Sequence, residues 1–303
     1  MAGRNTSDLD DTTSPSGNPL GPDDGGVDPT TQRDSLLGRM LGEYQVLEPI
    51  GHGGMGALYR GVQPVIGKPV AIKVLLPHGA HDPQSTQRMI GEARAANAVR
   101  HPNIIDIFSF GTLADGRPYM VMELLEGRSL SEELRERERL TPQQVMVVLE
   151  QTMAALEAAH GAGVVHRDLK PENIFVSEGR DGWRLKLIDF GLARRQDTGG
   201  DSRLTRPGIV MGTPGFMAPE QVRGEASVTG KADIYAMGVV AWTLLMGREP
   251  YEGGSVVEIM HRHLSAPIPA LTGVPGAPAG LEPLVLRMMN KDPAQRPDAA
   301  EVA

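Results

Sequence analysis

Val165-His166-Arg167-Asp168-Leu169-Lys170-Pro171-Glu172-Asn173 is the stretch on which the reading of this chain turns. It lies between a helical pattern that stops at Gly161-Ala162-Gly163 and a run of strand formers that starts at Ile174, so it reads as a loop. Asp168 can accept a proton or a hydrogen bond from an attacking hydroxyl, and Lys170 can neutralise a transferring phosphoryl group. Asn173 offers a carbonyl oxygen to a hard cation. Downstream, Leu187-Ile188-Asp189-Phe190-Gly191 ends a strand with a second carboxylate. Phosphoryl transfer to an alcohol needs this set: metal ions bridging phosphate oxygens, a cation for developing charge, and a carboxylate orienting the nucleophile.

Working towards the N-terminus, Gly51-His52-Gly53-Gly54-Met55-Gly56 joins two expected strands, Tyr44–Ile50 and Ala57–Val62. Glycines let backbone N–H groups approach phosphate oxygens without Cβ atoms in the way. The run precedes a strand rather than a helix, which counts against a Rossmann dinucleotide site, and it lacks the Gly-Lys-Ser/Thr ending of a P-loop. In the next strand, Lys68–Leu76, alternation places Lys73 on the face of Ala71 and Leu75, where an ammonium needs an anion. The helical stretch Gln84–Val99 sets Glu92 on a stripe with Met89, Ala93 and Ala96. Lys73 and Glu92 on neighbouring buried faces reduce each other's desolvation cost, and the pair can steer the lysine onto a polyphosphate.

The remaining pattern separates two lobes. Ile104–Leu113 and Pro118–Leu125 read as a hairpin across Ala114-Asp115-Gly116-Arg117. Thr141-Pro142-Gln143-Gln144 is a capping-box start for a helix that carries Val145, Val148, Leu149, Met153 and Leu156 on one face. A second hairpin, Ile174–Val176 with Trp183–Ile188, and helices at Lys231–Met246, Ser255–Leu264 and Leu281–Met289 follow. The expected class is α+β, with a small β-rich lobe over 43–125 holding one helix and a larger helical lobe over 126–303.

Composition sets limits. Of 303 residues, 40% are hydrophobic but only 4% aromatic, so the core is aliphatic with 15 methionines as adaptable filler. With no cysteine, disulfides, thiolate chemistry and Cys-ligated zinc are excluded. Half of the net charge of −8 falls on residues 1–42, a stretch of Asp, Ser, Thr, Gly and Pro expected to be a disordered acidic tail. The rest is nearly balanced, with no basic surplus of the kind nucleic-acid binding requires. No signal-peptide core follows Met1, and the longest apolar run, Val239 to Met246, is too short to span a bilayer. A cytoplasmic chain is expected, with membrane attachment only through sequence beyond residue 303.

Taken in order from Tyr44, these motifs resemble the eukaryotic-type serine/threonine protein kinases, most closely the bacterial ones. His101-Pro102-Asn103-Ile104-Ile105, Met122-Glu123, Gly212-Thr213-Pro214-Gly215-Phe216-Met217-Ala218-Pro219-Glu220, Asp233 with Gly238, and Lys291-Asp292-Pro293-Ala294-Gln295-Arg296-Pro297 complete the likeness. The resemblance implies the bilobal protein kinase fold, with ATP and Mg²⁺ as cofactors and protein Ser/Thr hydroxyls as acceptors. It implies that Gly51, Gly53, Gly54 and Gly56 cover the ATP phosphates and that Ile50, Leu58 and Ala71 lie against adenine. Lys73 would hold the α- and β-phosphates while paired with Glu92. The backbone of Glu123 and Leu125 would bind adenine, and Met122 would back the pocket as gatekeeper. Asp168 would be the catalytic base or aligner, Lys170 would serve the γ-phosphate, and Asn173 with Asp189 would hold Mg²⁺. Glu220 with Arg296, and Asp233 beneath the catalytic loop, would be structural.

Arg167 beside Asp168 resembles the cationic pocket that an activation-segment phosphate fills, with Thr205 as the first candidate acceptor, then Ser202 and Thr198. Autophosphorylation there implies self-association. Two other functions fit the fold, a pseudokinase scaffold and a small-molecule kinase. The intact Lys73, Glu92, Asp168, Asn173 and Asp189 stand against the first, and the Ala-Pro-Glu element with Arg296 against the second. Ala299-Ala300-Glu301-Val302-Ala303 reads as a last helix cut short.

Overall fold

Strand formers from Met40 to Glu123 assemble one antiparallel sheet. In the computed structural model, which describes residues 36–53, 56–75, 83–180, 182–190 and 214–303, residues 38–303 form a single unit. The strands are β1 (Met40–Leu41), β2 (Tyr44–Gly53), β3 (Gly56–Gln63), β4 (Lys68–Leu75), β5 (Ile107–Thr112) and β6 (Pro118–Glu123), in the order β1-β2-β3-β4-β6-β5. The glycine-rich run does turn one strand into the next, with Gly51 opposite Leu58 and Gly53 opposite Gly56. At Gly56 the reason for glycine is packing, because a Cβ there would lie 2.6 Å from the Val74 carbonyl oxygen of β4. Helix α1 (Pro83–Ala98) lies against this sheet through Met89, Ala93 and Ala96, all buried.

Two expectations need correction. The acidic tail was expected to run to residue 42, but Met40 and Leu41 pair with Gln45 and Tyr44, so the fold begins before that boundary. Gly42 at the turn has a φ of +61°, and Leu41 and Tyr44 are buried, which makes this short hairpin part of the lobe. Residues 1–35 lie outside the described residues. The strand expected from Ile104 starts only at Ile107, because residues 103–105 pair with a different element. Leu187 N–H donates to Asn103 O at 2.8 Å, and Ile105 N–H donates to Leu187 O at 3.0 Å.

The second half is mainly helical. β7 (Arg128–Ser129), β8 (Ile174–Gly179) and β9 (Gly182–Leu187) form a small sheet beside α2 (Leu130–Arg137), α3 (Pro142–Gly161), α4 (Pro219–Val222), α5 (Lys231–Met246), α6 (Val256–Ser265), α7 (Leu281–Met288) and α8 (Ala299–Val302). The capping box reads true on α3. Gln144 N–H donates to Thr141 Oγ1 at 3.3 Å, and Thr141 N–H donates to Gln144 Oε1 at 2.9 Å. α5 is buried almost all round, from Ala232 to Leu245, as a helix at the centre of a lobe must be. Its Gly238 admits α7, since a Cβ there would come 2.9 Å from Met288 Cβ.

Candidate active site

The first cluster is built on strand alternation. Lys73 leaves β4 between buried Ile72 and Val74, opposite Leu58 of β3 and Met120 of β6. Its Nζ lies 3.4 Å from Glu92 Oε1 on α1 and 2.6 Å from Asp189 Oδ1, just past β9. Burial works against the ammonium, yet the two carboxylates outweigh it and hold its pKa above the ordinary lysine range. Burial pushes the Glu92 carboxyl up, and Asp189 adds to this while Lys73 opposes it. Asp189 is drawn below the carboxylate range because the Lys73 charge overcomes its burial.

The second cluster is the loop after α3. Asn173 Nδ2 donates to Asp168 O at 2.8 Å and to Asp168 Oδ2 at 3.3 Å, while Lys170 Nζ stands 3.3 Å from the same Oδ2. Ile188 N–H donates to Asn173 O at 3.0 Å, and His166 Nε2 donates to Ile188 O at 3.1 Å. These bonds bind the loop to the residue preceding Asp189 and bring the two clusters together. Beneath them, Asp233 accepts from His166 N–H at 2.9 Å, Arg167 N–H at 2.8 Å and His160 Nε2 at 2.8 Å. Burial opposes the Asp233 charge, but the His160 contact and the backbone donors keep its pKa below the usual carboxylate value.

Asp189 supplies an anionic oxygen, and because Nδ2 of Asn173 is committed to Asp168, the carbonyl oxygen is the end that amide can offer a cation. Hard oxygen donors of this kind suit Mg²⁺. Among the described residues no group of three or more His, Cys, Asp or Glu could hold a metal ion, so Asp189 and Asn173 alone do not complete a shell. Ala71 and Met122, opposite each other in the sheet, are buried. Ile50 is exposed at the glycine turn, and Leu58 and Leu125 are half-buried. Gly51, Gly53 and Gly56 line the turn, whereas Gly54 and the hydroxyls of Thr198, Ser202 and Thr205 lie outside the described residues. Arg296 grips Glu220 through two bonds, far along the chain but in one buried pair.

This layout is that of one known family, whose protein kinase domain signature matches residues 44–303. The chain belongs to the protein kinase family. It is 41% identical to the serine/threonine-protein kinase Pkn1 of Myxococcus xanthus over 266 residues, covering 87% of this chain and 38% of that protein. Pkn3 of the same organism is 39% identical over 90% of this chain and 51% of its own length. PrkC of Bacillus subtilis is 37% identical over 88% and 40%. The chain thus spans about a third to a half of the length of these curated relatives. Among the described residues no helix is long and apolar enough to cross a membrane.

Three participants escaped the sequence reading. His160 stands at the end of α3, where nothing in the pattern ties it to Asp233, 73 residues on. Lys186 Nζ donates to Glu123 Oε1 at 2.6 Å and to Ile104 O at 3.1 Å, joining β9 to the end of β6. The direct Lys73–Asp189 pair was also unforeseen. For Lys186 a signal existed, since alternation sets it opposite in face to Leu185 and Leu187 on the strand leading to Asp189.

Proposed function

We propose that the chain is the catalytic domain of a serine/threonine protein kinase, transferring the γ-phosphoryl group of ATP to protein hydroxyls. The observation that carries this reading is the meeting of Lys73, Glu92 and Asp189 with Asp168, Lys170 and Asn173 through the bonds around Ile188. In this reading Asp168 accepts the hydrogen bond of the incoming Ser or Thr hydroxyl and takes its proton as the O–P bond forms. Lys170, beside it, meets the charge on the transferring phosphoryl, and ADP leaves with the electrons of the broken bond. Lys73 holds the α- and β-phosphates, with Glu92 fixing its position. Gly51, Gly53, Gly54 and Gly56 cover the phosphates, while Ile50, Leu58, Ala71, Met122 and the backbone of Glu123 and Leu125 enclose adenine. Asp189 and Asn173 would hold Mg²⁺, which neutralises phosphate charge when bound.

Regulation by autophosphorylation at Thr205, or at Ser202 or Thr198, between two copies of the chain belongs to the same reading. The test is transfer of label from γ-labelled ATP to a generic basic protein. Activity in the unsubstituted chain and a loss of at least about 100-fold in Asp168→Asn and Lys73→Met are expected. Full activity in Asp168→Asn would refute the assignment. Mass spectrometry after incubation with ATP and Mg²⁺ should find phosphate between Asp189 and Glu220, and finding none there rejects the regulatory part.

A further inference from the structure

Away from the catalytic residues, α5, α6 and the segment after α7 enclose a chain of polar groups. Lys291 Nζ donates to Tyr251 OH at 2.8 Å, to Tyr235 OH at 3.2 Å and to Arg262 O at 3.4 Å, which uses its three hydrogens. Tyr235 OH is 2.9 Å from His263 Nδ1. The tyrosine oxygen accepts from Lys291, and with its own hydrogen given to Nδ1 the other ring nitrogen, Nε2, carries the imidazole proton. His263 is fully buried between the rings of Tyr235 and Tyr251, at centroid distances of 5.7 and 4.9 Å. Nε2 makes no hydrogen bond of ordinary geometry. A buried N–H left so costs about 1–3 kcal/mol, and one in a native fold calls for a reason.

The reason lies on the neighbouring turn. α6 packs against Pro214–Phe216, whose Gly215 is buried. The Gly215 backbone favours the protonated ring, which is the sign of a facing carbonyl rather than an N–H. Phe216 of that turn shares a cavity of about 280 Å³ with Glu172 and Pro171, which follow Asp168 in the loop, so the turn adjoins the segment that would receive an acceptor hydroxyl.

We propose that His263 is a positioning residue, whose Nε2–H is the donor that closes on the Gly215 carbonyl and sets the Pro214–Phe216 turn for binding of the protein substrate. Lys291 and Tyr235 act behind it by fixing the tautomer. The reading of the turn as substrate-facing rests on the kinase function proposed above, whereas the His263–Gly215 contact itself does not.

The test uses the full chain and two substitutions. H263N keeps an acceptor near the Nδ1 position but lacks the far donor, while H263Q carries an N–H group to the place of Nε2. With myelin basic protein and labelled ATP, H263N is expected to raise the KM for the protein about threefold to tenfold, the worth of one neutral hydrogen bond, and leave the KM for ATP unchanged. H263Q should restore the protein KM to within about twofold of the unsubstituted chain. Nitrogen-15 NMR of the unsubstituted chain should show His263 as the Nε2–H tautomer. Hydrogen exchange at the amides of Gly215, Phe216 and Met217 should quicken in H263N and not in H263Q. An Nδ1–H tautomer, equal exchange in the two variants, or a rise in both KM values overturns the proposal. The tautomer is read without any substitution, so a folding failure of H263N does not shield the idea. Both spectroscopic results hold for a chain that phosphorylates nothing, an outcome that would reject the kinase reading alone.

Discussion

Replacing Arg296 with methionine should destabilise the helical half strongly. The guanidinium is fully buried and holds Glu220 Oε1 and Oε2 at 2.6 and 2.9 Å. It also donates to Asn290 O at 2.7 Å, Lys231 O at 2.8 Å and Lys291 O at 3.3 Å, and lies 4.9 Å from the Tyr235 ring centre. Methionine fills part of the space but provides no donor. Breaking a buried pair from one side costs about 3–5 kcal/mol, because the remaining carboxylate is stranded and must take up a proton. The freed carbonyls add about 1 kcal/mol or more, for a total near 5 kcal/mol, against a stability of about 5–15 kcal/mol for an ordinary domain. With a urea slope of about 3 kcal/mol/M, the midpoint followed by circular dichroism should fall by about 1.5 M. Substituting both partners, R296M with E220L, removes the stranded charge and should recover more than half of the loss. A midpoint within about 0.3 M of the unsubstituted chain for R296M, or a double variant no better than the single one, would refute this account of the pair.

Two further outcomes follow from single positions. Burial first, and then the Lys291 ammonium, lower the His263 pKa to about 4, whereas an unfolded histidine titrates near 6.5. As pH falls through that interval the unfolded chain takes up a proton that the folded ring refuses, so stability drops by about 3 kcal/mol between pH 7 and pH 4. H263Q should flatten the urea-measured pH dependence by that amount, and an unaltered curve would show that His263 is not its source. Gly56→Val would press a side chain onto the Val74 carbonyl and should cost about 1–3 kcal/mol through displacement of β3 from β4. Nucleotide affinity measured by calorimetry should fall with it, and an unchanged dissociation constant and melting temperature would contradict the close approach.

What the sequence disclosed depended on how locally each feature is encoded. The helix over Pro142–Gly161 and its Thr141 cap were legible because periodicity and capping are written in adjacent residues. Lys73 and Glu92 could be paired because each was an ionisable group on an otherwise apolar face. Ile104 misled for the converse reason. Its β-branched neighbourhood favours a strand, but Asn103 sends its side chain to Gln151 Oε1 at 2.9 Å and Leu185 O at 2.8 Å, which draws the segment to β9. Lys186 and His160 depend on partners 63 and 73 residues away and become visible only once the chain is folded.

The placing of Asp233 explains how such a loop keeps its shape. Arg167 and Asp189 have φ values of +66° and +55°, a region that residues with a Cβ enter at a cost of about 1–3 kcal/mol each. Nothing in the arginine side chain's chemistry favours that conformation. The compensation comes from beneath, where the two oxygens of one buried carboxylate take the backbone N–H groups of His166 and Arg167, and from Gln221 Nε2, which donates to Arg167 O at 2.8 Å. Asp233 is rooted in α5, the helix most completely enclosed by the core, so the oxygens cannot follow the loop if it relaxes. The strained backbone is therefore held by a helix buried almost all round. Asp168 and Asn173, one and six residues beyond Arg167, take their placement from it together with their own bonds to each other and to Ile188.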